Sequence, residues 1–275
     1  MTASPARPAS LSCVGFGMTL GSHLTPLARC YIEQADVVFA ALSNPIAEAW
    51  LARLAPNLRS LQPHYAEGKP RIDTYREWVA LMLAELRAGR RVCGVFYGHP
   101  GIFAWSPHQV IAEARAAGFE AWMEPGISAA DCLYADLGFD PGSRGCQHFE
   151  ASQLVYCERR IDPTAWLVLW QVGVLGNRSV GHFDQGRAWR QLLVECLAAD
   201  YPLDHDVIIY RGATLPIEEP QIRHLPLAAL PDAALTPEDT VVLKPARRLE
   251  RRTALSAKIA ELERLATTPA PAGEH

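Results

Sequence analysis

Three apolar runs in the first half of the chain each end in glycine: LSCVGFG from Leu11, RVCGVFYGHPG from Arg91 and EAWMEPG from Glu120. Strands apolar at successive positions suit a sheet covered on both faces. Segments with helical spacing lie between them. TPLARCYIEQA is one, and NPIAEAWLARLA is another, with Asn44 as its cap and Pro45 at its first position. TYREWVALMLAELRAG should run to Gly89, and SPHQVIAEARAAG from Ser106 to Gly118. With DVVFAAL as a further strand, this alternation predicts an α/β fold built on a parallel sheet.

The texture changes after Gly126. TAWLVLWQVG, DVIIYRGAT and DTVVLKPAR read as three more strands, with a helix over AWRQLLVECLAADY and a proline-rich loop around 214–237. The expected organisation is a disordered N-terminus (1–10), an N-terminal α/β domain (11–124), a C-terminal α/β domain (125–246) and a C-terminal helix with a loose tail (247–275). Leu255, Ile259, Leu262 and Ala266 recur at helical spacing in that last segment, which predicts an amphipathic helix. TTPAPAGEH reads as the tail.

Of 275 residues, 49% are hydrophobic, enough for a sizeable core. A net charge of −4 leaves no basic field, so nucleic acid is not a favoured partner. No apolar run reaches the ~18 residues a membrane span needs, and MTASPARPAS lacks the apolar stretch of a signal peptide. Seven cysteines, none in CxxC spacing, point to a reduced protein without a disulfide framework, a zinc knuckle or another metal site. The expected location is the cytoplasm.

Gly15-Phe16-Gly17 follows a strand, as a dinucleotide loop would. That reading also needs a third glycine and an acidic residue at the end of the second strand. Position 20 is Leu20, and Asp36 lies at the wrong end, so NAD is disfavoured. In Gly98-His99-Pro100-Gly101 the glycines let backbone approach a ligand closely, and Pro100 stiffens the loop. The same loop could equally be a structural turn with a satisfied histidine. Pro125-Gly126 forms a second such loop, followed by Ser128 as a helix cap. Gln171 and Gly173 end another strand. Together these strand ends could form one cleft between two domains. Tyr65, Arg71 and Tyr75 make a third cluster. Arg71 and Tyr75 share a face if the long helix begins early. The cluster reads either as a solvated loop beside a packed tyrosine or as a phenol whose pKa a guanidinium lowers.

The glycine turn, the Pro-Gly strand ends and the two-domain layout resemble the tetrapyrrole methylase superfamily, whose members bind S-adenosylmethionine in a cleft between two α/β domains. Most members carry Gly-Asp-Pro where this chain has Gly98-His99-Pro100. GSHLT, ADVVFAALSNP, KPRIDTY, GVFYGHPGIF, PGISAADCLYADLGFDP, FEAS, QVG and VVLKPAR, in order from about residue 11 to 247, resemble one branch: the borosin peptide-backbone α-N-methyltransferases. That resemblance implies a cofactor site of Tyr97, His99, Ile102, Ser128, Ala129, Gln171, Tyr210, Gly212 and Thr240. It implies a catalytic array of Tyr65, Arg71 and Tyr75. Fungal members carry a further tyrosine where this chain has Gln62, which is assigned no role.

By the same resemblance the chain should methylate backbone amide nitrogens, with a Tyr65 phenolate, favoured by Arg71, as general base. Arg71 or Tyr75 would bond the carbonyl oxygen where imidate charge develops. Fungal relatives carry their substrate as a C-terminal extension. Here the tail has no Val/Ile-rich core, so the expected substrate is a separate precursor peptide. The family's intertwined homodimer is also expected, and the C-terminal helix could serve that contact. The nearest alternative is an S-adenosylmethionine-dependent methyltransferase acting on a tetrapyrrole or another small molecule. A binding protein that keeps the fold without turnover is a further one.

Overall fold

A computed structural model describes residues 8–42, 44–177, 179 and 186–267. Most of the expected loose ends, residues 1–7 and 268–275, lie outside these. The N-terminal half runs β1 (Ser10–Gly15), α1 (Pro26–Gln34), β2 (Val37–Ala41), α2 (Pro45–Leu54), β3 (Leu58–Ser60), α3 (Arg71–Arg87), β4 (Val92–Phe96), α4 (Trp105–Ala116) and β5 (Glu120–Glu124). Its strands form an all-parallel sheet in the order β3-β2-β4-β1-β5. The second half runs α5 (Ala129–Leu137), α6 (Pro141–Arg144), β6 (Cys146–Glu150), α7 (Ala151–Tyr156), β7 (Trp166–Trp170), α8 (Gly186–Leu197), β8 (Asp206–Arg211), β9 (Gln221–Pro226), β10 (Thr240–Leu243) and α9 (Ser256–Thr267). Here the order is β6-β7-β10-β8-β9, with β6 and β7 parallel and the other pairs antiparallel.

The strict alternation of a strand explains why β2 is apolar throughout. Val37, Phe39 and Ala41 pack with Trp78, Met82 and Leu86 of α3 and Val110 of α4. Val38 and Ala40 face the other way, onto Ala28 and Ile32 of α1 and Leu51 of α2. Caps fix where the helices start. The Thr25 hydroxyl accepts from Ala28 N at 3.1 Å, and Asn44 Oδ1 accepts from Ile46 N at 2.8 Å. Helix α3 begins at Arg71, directly after Pro70, so Arg71 and Tyr75 do stand one turn apart.

Strands β3, β6 and β9 escape the sequence pattern. The stretch expected to be a proline-rich loop holds β9, which pairs with all of β8. As an edge strand it keeps every side chain exposed except the half-buried Leu225, so it shows no apolar periodicity. Helix α9 is amphipathic but exposed from Ser256 to Ala266. No helix among the described residues is long and apolar enough to cross a membrane.

The tips of three strands meet backbone to backbone. Gly17 N donates to Gly98 O at 3.1 Å and Gly98 N to Gly17 O at 2.9 Å. A Cβ on Gly15 would stand 2.5 Å from Gly98 O and 2.6 Å from Gly126 Cα; one on Gly126 would stand 2.5 Å from Gly98 O. The obstacle is main chain at the ends of β1, β4 and β5, which cannot swing aside as a side chain can. Gly15→Ala and Gly126→Ala should therefore each cost at least the ~1–3 kcal/mol typical of overpacking. Gly118→Asn offers a contrast. Its φ is +84° with no atom within 4 Å, and asparagine visits that region readily. It should cost less than either alanine variant in urea denaturation.

Candidate functional site

Beyond these glycine tips the chain encloses a cavity of about 830 Å³ lined by both halves of the molecule. The N-terminal half supplies Tyr65, Arg71, Tyr75, Tyr97, His99 and Ile102, and the C-terminal half Ser128, Ala129 and Gln171. Nine of the twelve residues singled out in the sequence thus line one space. Tyr210, Gly212 and Thr240 are not among the lining residues. Tyr210 and Thr240 are buried and sit opposite each other on β8 and β10, where the Tyr210 hydroxyl donates to Asp136 at 2.6 Å. Gly212 precedes a segment that ties the two halves together. Leu20 N donates to Thr214 O at 2.9 Å, and the Thr19 hydroxyl to Ala213 O at 3.3 Å.

His99 folds back on its own loop, its Nδ1 accepting from Gly101 N at 2.9 Å. The ring proton therefore sits on Nε2. The loop beside it is crowded: a Cβ on Gly101 would meet Met123 Sδ at 2.6 Å. Ser128 caps α5 in a reciprocal box, its hydroxyl accepting from Asp131 N at 3.3 Å while Asp131 Oδ2 accepts from Ser128 N at 2.7 Å. Gly173 lets the Thr236–Asp239 turn close in, since a Cβ there would lie 1.9 Å from Thr236 O. Asp239, 2% exposed, braces that turn by accepting from Thr236 N at 2.7 Å and from Arg211 at 2.9 Å.

The Tyr65 and Tyr75 rings meet edge-on, with centroids 6.4 Å apart, and both pack on Trp78. Trp78 is pinned by its indole N–H donating to Leu61 O at 3.0 Å. Arg71 reaches across to the other half, donating to Asn177 O at 3.2 Å, and Pro70 bridges Ser179 beside it. Lys69 stays outside this group, donating to His64 O and pairing with Glu77.

The phenolate expectation is corrected here. Burial pushes the Tyr65 phenol far above its ordinary range, and neighbouring Tyr75 adds to this by repulsion and by accepting the Tyr65 proton in a hydrogen bond. Arg71 acts in the opposite direction and is outweighed. In the free protein Tyr65 is a neutral donor. Tyr97 is also raised, chiefly by burial. Its 55% exposure does not contradict that, because the surface it shows belongs to the cavity wall.

Several lining residues went unassigned in the sequence. Gln62 donates its carboxamide N–H to Leu42 O at 2.6 Å, and Trp170 and Phe103 pair at 5.7 Å between ring centroids. Glu238 contributes a carboxylate. Only the fold reveals these, because no spacing links position 103 to 170 or 238 to the tyrosines.

The profile of the Tetrapyrrole (Corrin/Porphyrin) Methylases matches residues 10–231. A protein of Gymnopus fusipes named methyltransferase/ribosomally synthesized cyclic peptide gymnopeptides precursor is 40% identical over 223 residues, covering 81% of this chain and 53% of that protein. A Mycena rosella protein named methyltransferase/ribosomally synthesized type I borosin cyclic peptide precursor is 41% identical over 214 residues, covering 76% and 52%. The chain spans about half the length of these relatives. Uroporphyrin-III-C-methyltransferase from Thermus thermophilus shares the fold, with a TM-score of 0.63 at 22% identity over 91% of this chain and 98% of that one. The chain belongs to the tetrapyrrole methylase family.

A neutral Tyr65 has a measurable signature. Its phenol should stay protonated at pH 10, where a free tyrosine is half ionised. Tyrosinate absorbance of wild type and Tyr65→Phe should then coincide up to that pH while the fold holds. Tyr201 and Tyr210 are raised for the same first reason, burial. Above pH 10 the unfolded chain loses phenolic protons that the fold retains, so stability should fall as pH rises beyond 10. Tyrosinate absorbance that Tyr65→Phe abolishes below pH 9 would refute the neutral assignment.

Proposed function

We propose that this family member is an S-adenosylmethionine-dependent methyltransferase that methylates backbone amide nitrogens of a separate, ribosomally made precursor peptide. The observation that carries the reading is the sharing of one cavity by the Tyr65–Arg71–Tyr75 array and the glycine-bearing strand ends. The names of the Gymnopus and Mycena relatives, which join methyltransferase to cyclic peptide precursor, support the peptide acceptor. A homodimer belongs to the same reading, and the outward Leu255, Ile259, Leu262 and Leu265 around α9 offer it an apolar face.

The cavity suits the methyl donor. Its volume of about 830 Å³ lies within the ~300–1,000 Å³ usual for small-molecule sites. Tyr97, Phe103 and Trp170 offer flat apolar surface to a nucleoside, and Glu238 offers an anion to a cationic ligand. When bound, the donor supplies a methyl group on a sulfonium.

The residues of the chain must make an amide nucleophilic. The nitrogen lone pair is delocalised into the carbonyl, so the nitrogen gains electron density only as the amide moves toward an imidate. Tyr65 holds its proton at Oη, and Arg71 carries fixed N–H donors. Both can bond the carbonyl oxygen as negative charge grows there. The Tyr75 oxygen already accepts from Tyr65 and, as that bond is redirected, can take the amide proton while its own hydroxyl proton passes to solvent. A protonated Tyr65 thus works as donor beside the Tyr75 oxygen as acceptor, in place of a standing phenolate. The partial burial of the array limits competition from water and strengthens each bond.

Coexpression with a short peptide encoded beside the gene should add methylene-mass steps to that peptide, placed on backbone nitrogens by fragmentation. Tyr65→Phe and Arg71→Ala should each lower this turnover by about 100-fold or more, the scale of general acid–base catalysis. Affinity for S-adenosylhomocysteine should barely change in either variant. Methylation of a tetrapyrrole and of no peptide would overturn the reading, and methyl groups added to the chain itself would overturn the separate substrate.

A further inference from the structure

One side-chain network touches the cavity from behind and, apart from Trp170, has no part in the chemistry above. Trp170 closes β7, lines the cavity and is 8% exposed. Its indole N–H points away from the cavity, onto His148 Nδ1 of β6 at 3.0 Å. An indole nitrogen can only donate, so Nδ1 must be the unprotonated nitrogen of a neutral imidazole. The ring proton then sits on Nε2, which faces the Tyr134 hydroxyl of α5 at 2.6 Å and Cys146 Sγ at 3.3 Å. Tyr134 is in turn hydrogen-bonded to Cys146. Donors run one way, from Trp170 through His148 and Tyr134 to the thiol. Protonating Nδ1 would set two donors face to face. The half-buried imidazole is accordingly held toward its neutral form by desolvation.

Trp170 shares the cavity lining with Ala129, Ala130 and Gln171. Ala129 and Ala130 of α5 pack against the cluster that holds Trp170, and Gln171 follows it in the chain. On the cavity side Trp170 meets Phe103 of the opposite half, the rings inclined by 45°. Phe103 and Gln171 are the non-glycine residues with positive φ among the described residues, at +48° and +60°. Both unusual backbone conformations therefore adjoin this indole, and such conformations cluster at ligand clamps.

We propose that His148 is a positioning residue: by accepting the Trp170 N–H it fixes the indole as the wall on which the nucleoside of the methyl donor packs. This rests on the methyltransferase reading. His148 itself touches no ligand and acts through Trp170. Without it the indole N–H is buried without a partner, and the ring gains a reason to rotate toward water.

The test uses the whole chain with S-adenosylhomocysteine as probe and 15N-labelled tryptophan. The Trp170 indole resonance is assigned by its loss in Trp170→Phe. His148→Leu should move that resonance upfield and weaken the probe about tenfold, the size expected when one buried donor is orphaned. His148→Asn, which keeps an acceptor, should hold both near wild type. In a Trp170→Phe background, with no N–H to satisfy, His148→Leu should weaken the probe no further. Wild-type affinity in folded His148→Leu would overturn the proposal, and so would an equal loss in the Trp170→Phe background. If His148→Leu does not fold, His148→Asn decides: an unchanged indole resonance with tenfold weaker binding would overturn it. A wild-type protein that ignores the probe would instead overturn the methyltransferase reading, and the nucleoside wall with it. The indole resonance would still report the His148–Trp170 bond.

Discussion

The backbone contact among Gly15, Gly98 and Gly126 sets where everything else in the cavity can be. Three neighbouring parallel strands end there with main chain against main chain, closer than any Cβ permits. Because the tips touch, the loops that leave them are forced outward together. The turn after β1, the His99 loop and the start of α5 become neighbours although more than a hundred residues separate the first from the last. The site is thus a product of missing side chains as much as of present ones. Gly173 repeats the device in the second half, admitting the turn that presents Glu238.

Much of this was legible in the sequence, for identifiable reasons. Buried parallel strands announce themselves as apolar runs, and Asn44 and Ser128 mark helix starts because a cap needs a short side-chain acceptor. The Arg71–Tyr75 face was conditional on where α3 starts, and Pro70 sets that point. Edge strands were not legible. Strand β9 is held by backbone bonds to β8 and buries almost no side chain, so its residues carry no pattern. Tyr210 and Thr240 stand opposite each other in the second sheet, outside the residues that line the cavity.

The state of Tyr65 shows a different limit. The sequence placed a guanidinium near a phenol, and sign alone then favours the phenolate. Magnitude depends on depth. Once the ring is enclosed by Tyr75 and Trp78, desolvation and a neighbouring hydroxyl outweigh a charge whose own side chain is engaged with Asn177 O. That balance arises from packing, which no order of residues displays.

The two halves of the molecule are pinned to each other at two separate places. The turn after β1 is bonded to Ala213 and Thr214, and Pro70 and Arg71 are bonded to Ser179 and Asn177. The Phe103–Trp170 contact and the continuous chain from β5 to α5 add to these bonds, so the halves are held from several sides of the cavity. One of the two pins is the arginine of the tyrosine array, so engaging Arg71 with a ligand would also slacken the joint.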